Sequence, residues 1–97
     1  MINSLLQKLE SATHPVAQIL HQNAHFKVLI LAFKAGMLLK DHTAKEPTKL
    51  TVMEGSVEYR ENEKTILLEK YATIDIPVSI THAVYAKTDA ICLLTQG

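Results

Sequence analysis

Two histidines, His42 and His82, carry most of the chemistry this chain could perform. Each stands at the edge of an alternating run rich in β-branched residues, the first within 36–55 and the second within 71–86. A neutral imidazole can ligate a metal ion, move a proton, or anchor a polar ligand. Two imidazoles alone in an apolar barrel hold a divalent ion poorly, because they supply only two donors and leave the ion its net charge in that cavity. His14, His21 and His25 lie on or beside the first two strands, where a surface or interface role is the expectation and recruitment of one as a third ligand the alternative. A metal-free route would use His82 as base and Tyr85 or His42 as acid, and would need a buried carboxylate to orient the histidine. The candidates are Asp41, Glu46, Glu54 and Asp75. The first two fall in a loop, Glu54 precedes the hairpin glycine Gly55, and Asp75 alternates with Ile74 and Ile76 and so faces outward. None is well placed to serve. The single cysteine, Cys92, sits in an apolar run at 90–94 and reads as a buried small hydrophobe; with one cysteine no internal disulfide forms.

The elements that must hold these residues are short and mostly extended. Ile2, Leu5, Leu6 and Leu9 fall at i, i+3, i+4 and i+7, the stripe of an amphipathic helix placed within residues 1–12. Ser4 and Gln7 have the spacing of a capping box, and His14-Pro15 ends the helix. Strands are predicted at 16–21, 25–33, 37–40, 49–54, 56–60, 65–68, 73–76, 82–87 and 90–95, with residues 61–64 as a hairpin loop and Gly55 at a turn or bulge. The run at 25–33 is apolar almost throughout, which predicts burial on both faces, one against the interior and the other against a second sheet or a partner subunit. Short strands at regular spacing predict an all-β sandwich or barrel over 16–95, in one domain spanning 1–97.

At these spacings the chain resembles the cupin family. The family's first motif runs glycine, five residues, His-x-His, three or four residues, glutamate, six residues, glycine. Gly36, His42 and Gly55 match it, while Ala44 stands at the second histidine and Thr48 at the glutamate. The second motif runs glycine, five residues, Pro-x-Gly, two residues, histidine, three residues, asparagine. Pro77 and His82 match; Tyr71, Ser79 and Ala86 replace the two glycines and the asparagine. The resemblance implies a double-stranded β-helix, a jelly-roll barrel of two antiparallel sheets with a short N-terminal helix. It also implies a divalent metal ion on three imidazoles and a carboxylate, of which only His42 and His82 remain here. No cofactor is therefore expected and, if one binds, it is a divalent metal ion on an incomplete set of His42 and His82.

The chain has 97 residues, 47% of them hydrophobic, with Lys+Arg and Asp+Glu both at 10 and a net charge of zero. That balance argues against nucleic acid as a partner. No signal peptide pattern and no apolar stretch of ~18 residues is present, so a cytoplasmic protein with no membrane partner is expected. The apolar 25–33 run and the free edges of a small barrel favour a homodimer. The functional expectation is a non-catalytic barrel that binds or senses a small molecule. His42, His82 and Tyr85 would be its polar anchors, and Leu50, Val52 and Val84 its apolar lining. The alternatives are a metal-dependent dioxygenase or isomerase with unusual ligation, and a barrel that only dimerises.

Overall fold

The computed structural model describes residues 2–97, with the side chains of Ile2, Asp41 and His42 outside the description. One helix, α1 (Ile2–Glu10), precedes the strands β1 (Val16–Gln22), β2 (Lys27–Phe33), β3 (Leu38–His42), β4 (Thr48–Glu54), β5 (Val57–Glu61), β6 (Lys64–Leu68), β7 (Thr73–Ile76), β8 (His82–Ala86) and β9 (Ala90–Gln96). They form two antiparallel sheets, one ordered β1-β2-β9-β4-β7 and the other β3-β8-β5-β6. This is the expected jelly-roll barrel. Alternate residues of facing strands fill it: Leu31 and Phe33 from β2, Leu50 and Val52 from β4, Val57 and Tyr59 from β5, Val84 and Ala86 from β8, and Cys92 and Leu94 from β9. Among the described residues no helix is long and apolar enough to cross a membrane.

The continuous apolarity of β2 has a local cause. Leu31 and Phe33 face the interior, whereas Ile30 and Ala32 face outward and pack with Leu5 and Leu9 of α1 in a second buried cluster. The cover on this outer face is the chain's own helix. Lys34 Nζ donates to Glu10 O at 2.7 Å, meeting one of the carbonyls that a helix end leaves unpaired. The helix already runs from Ile2, so Ser4 lies in its first turn rather than capping it; docking of Leu5 recruits the residues before it.

The turns show why the motif positions favour glycine. Gly36, Gly55, Tyr71 and Ser79 all have left-handed backbone angles, at φ of 88°, 78°, 73° and 66°. These are the four positions at which the cupin motifs carry glycine. At Gly55 a Cβ would overlap Asp89 O and stand 2.6 Å from Thr88 Oγ1, so a side chain is excluded twice over. Tyr71 and Ser79 keep the conformation without the glycine. Backbone bonds over-determine it there: Tyr71 N donates to Val52 O at 2.7 Å and Ser79 N to Ala44 O at 3.0 Å. The hairpin at 61–64 is tighter than expected, with Glu61 and Lys64 already paired in the strands and Asn62 at φ 53° in the turn.

Candidate functional site

Strand register brings two rows of residues to one end of the barrel. In the first sheet Lys27 of β2 pairs with Gln96 of β9, and Gln96 pairs with Thr48 of β4. Directly paired residues share a face, and these lie two residues beyond the inward-facing Leu29, Leu94 and Leu50, so the row points into the barrel mouth. In the second sheet His42 of β3 pairs with His82 of β8, and His82 pairs with Glu61 of β5.

Between the rows lies a cavity of about 310 Å³. Lys27, Thr48, Gln96 and His82 line it from the strands, and Thr43, Ala44, Lys45 and Glu46 from the β3–β4 loop, with Leu94 as the apolar floor. The loop is pinned across the mouth by an isolated parallel bridge between Ala44 and Val78. Thr48 is buried, and its Oγ1 donates to Glu46 O at 3.0 Å.

His82 is only 4% exposed. Its Nδ1 is 3.3 Å from Ile80 O, and its ring stacks on Tyr59 with centroids 5.9 Å apart. Tyr59 is fully buried, and its hydroxyl donates to Glu61 Oε2 at 2.7 Å. Burial first, then the Glu61 hydrogen bond and charge, push the Tyr59 hydroxyl far above its ordinary value, so it stays protonated and donating.

The lining differs from the one expected. Leu50, Val52 and Val84 are packed in the core one layer below the cavity, because Tyr59 and Phe33 fill the barrel at that depth. Tyr85 lies on the other face of β8 from His82 and Val84. Its ring carries Arg60 Cζ at 4.9 Å, within an outer-face cluster in which Glu58 pairs with Arg60 at 2.9 Å and Lys87 at 3.6 Å. The side chain of His42 lies outside the described residues, and its register position beside His82 is what the structure gives. His14, His21 and His25 are exposed and none lines the cavity. Asp75 faces outward, paired with Lys49 at 3.4 Å, and Glu54 pairs with Lys70 at 3.1 Å. Cys92 is fully buried, and desolvation pushes its thiol up to about 12.

Lys27, Gln96, Tyr59 and Glu61 are the site residues that sequence reasoning passed over. A signal existed for two of them: the alternation that turns Val57 and Tyr59 inward continues to Glu61 once residue 61 is placed in the strand rather than the turn. Lys27 and Gln96 gave none, since a polar residue at a strand end reads as solvent-facing.

The donor chemistry does not fit the metal ion that the cupin resemblance implies. Ala44 presents a methyl group and the Thr48 hydroxyl is committed to Glu46 O, so two of the four positions offer no ligand. Among the described residues, which leave out the His42 side chain, no three His, Cys, Asp or Glu side chains lie together so as to hold an ion.

No family model matches the chain. No curated protein matches it. Solved structures do, at the level of fold. An RmlC-like cupin protein from Desulfovibrio desulfuricans is 29% identical, with a TM-score of 0.78 over 84% of this chain and 80% of that one. A conserved protein of unknown function from Streptococcus pyogenes is 22% identical, with a TM-score of 0.79 over 95% and 82%. Salicylate 1,2-dioxygenase from Pseudoaminobacter salicylatoxidans is 15% identical with a TM-score of 0.85 over 98% of this chain, which spans 31% of that enzyme. The fold is the cupin fold.

Proposed function

We propose that this cupin-fold chain is a small-molecule-binding barrel, a sensing or accessory protein whose ligand sits at the mouth between the two rows. The observation that supports it is the cavity itself: about 310 Å³, at the small end of ligand pockets, with polar groups converging over an apolar floor. His82 is retained there as a buried polar anchor, while Ala44 and Thr48 stand as wall where the family carries ligands. His42, beside it in the register, is its proposed companion. Leu50, Val52 and Val84 support the floor from beneath rather than touching the ligand.

A second reading, a metal-dependent enzyme with unusual ligation, has one observation in its favour. Glu61 occupies the same register row as His82 and His42, so one carboxylate and two histidines stand on adjacent strands. Metal analysis of protein prepared without a histidine tag separates the two. Well below one ion per chain is expected; stoichiometric iron, manganese, nickel or zinc that is lost in His82→Ala would overturn the binding reading.

The proposed assembly is a homodimer. Because α1 covers the outer face of β2, the contact is assigned instead to the strip beside the helix, formed by Leu20, Met53, Ile91 and Leu93 with Tyr71 and Glu54 beside them. Leu20, 43% exposed, stands at an irregularity in the β1–β2 register between Ile19 and His21. Bulges blunt edge pairing, so contact through the face is favoured over extension of the sheet.

A further inference from the structure

We infer that the mouth cavity takes a small organic carboxylate with an apolar body, held by the ammonium groups of Lys27 and Lys45. The inference rests on the binding reading above and names its ligand class. Lys27 is half-buried on the inward row of the first sheet, paired through the backbone with Gln22 and Gln96. Lys45 enters the same cavity from the β3–β4 loop. The other ion pairs among the described residues join Lys49, Arg60, Lys70 and Lys87 to carboxylates on outward faces. Among the described residues neither Lys27 nor Lys45 has such a partner.

Among the described residues that line the cavity, two cations therefore meet a single carboxylate, Glu46. Half-buried Lys27 gains from a compensating anion, exposed Lys45 adds a second charge at the rim, and a charge-assisted hydrogen bond is about twice as strong as a neutral one. Gln96 can donate to the same group, and the Thr48 hydroxyl oxygen keeps lone pairs that a protonated or polar substituent can reach. Behind them Leu94 and Ala44 offer an apolar wall, which suits a hydrocarbon body rather than a bare inorganic anion. Where the cupin resemblance implies a divalent metal ion in the barrel, this chain brings two ammonium groups to the cavity. The charge is supplied by the protein, and no step of chemistry is attached to it.

The test compares hexanoate with hexanamide, its neutral isostere, by titration calorimetry and by backbone amide shifts of the intact protein. Hexanoate is expected to bind with shifts at Lys27, Lys45, Thr48 and Gln96, and hexanamide about tenfold more weakly. Lys27→Met should weaken hexanoate by about tenfold and leave hexanamide unchanged. Lys45→Gln, on an exposed loop position, should lower hexanoate affinity by a smaller factor without altering the fold. Added salt should weaken hexanoate alone. Equal binding of the amide and the acid, or hexanoate affinity indifferent to both lysine variants, overturns the inference while leaving a ligand-binding cavity in place. Absence of hexanoate shifts at the mouth overturns it as well; the metal analysis judges the binding reading separately.

Discussion

His82 and Glu61 are cross-strand partners, and Tyr59 ties them together: its ring stacks on the imidazole at 5.9 Å while its hydroxyl donates to the carboxylate at 2.7 Å. One buried aromatic thus packs beneath His82, which lines the mouth cavity, and fixes the carboxylate on the neighbouring strand.

Tyr59→Phe keeps the ring and removes the donor. Glu61 is partly solvated and recovers some hydration, so the cost should be about 1 kcal/mol, read by urea unfolding. Tyr59→Ala opens a cavity in the core and should cost about 3–5 kcal/mol. Glu61→Gln keeps an acceptor for the hydroxyl and should cost less than Tyr59→Phe. The reverse order would mean that the hydrogen bond does not organise this corner.

Gly55→Ala should destabilise by about 3 kcal/mol, combining a left-handed backbone with a Cβ placed against Asp89 O and Thr88 Oγ1. A thermal melt close to that of the parent would contradict the close approach.

Tyr71→Gly should act in the opposite direction. Tyr71 is 70% exposed and left-handed, so glycine relieves the conformational cost while giving up the Lys70 contact over the ring at 5.1 Å and one edge of the strip beside Leu20 and Met53. A gain of about 0.5 kcal/mol is expected after the added entropy of the unfolded chain is subtracted. Any clear loss of stability would show that the tyrosine ring does packing that its exposure conceals.

Alkaline stability follows from Cys92. Burial raises the folded thiol from its ordinary value of 9.0 to about 12, so the neutral form is favoured in the fold. The resulting stability is fully present below about pH 9 and is lost as pH rises from there towards 12, because only the unfolded chain ionises in that window. Unfolding free energy should fall with a limiting slope of about 1.4 kcal/mol per pH unit. Tyr59, raised from 10.0, adds a second decline of the same sign that begins later. Cys92→Ala should remove the earlier decline and keep the later one. A pH profile unchanged by that substitution would place the titration elsewhere.

Light scattering at micromolar concentration should give twice the chain mass, and Leu20→Lys should shift it towards monomer by placing a charge in the apolar strip. A parent protein that stays monomeric removes the dimer from the proposal.

The local code of this chain determined a good deal. Alternation, turn residues and the helical stripe of Leu5 and Leu9 specify the strands and the helix, since these depend on neighbours a few residues apart. The spacing of Gly36, His42, Gly55, Pro77 and His82 pointed to the barrel. Tertiary structure alone decided what faces what. Whether β2 is covered by its own helix, how deep Tyr59 and Phe33 fill the interior, and that Lys27, Gln96 and Thr48 oppose His82 across the mouth all follow from pairings between residues dozens of positions apart. Those pairings depend on sheet order and register, which no short-range pattern encodes, so the core could be read from the sequence while the cavity above it could not.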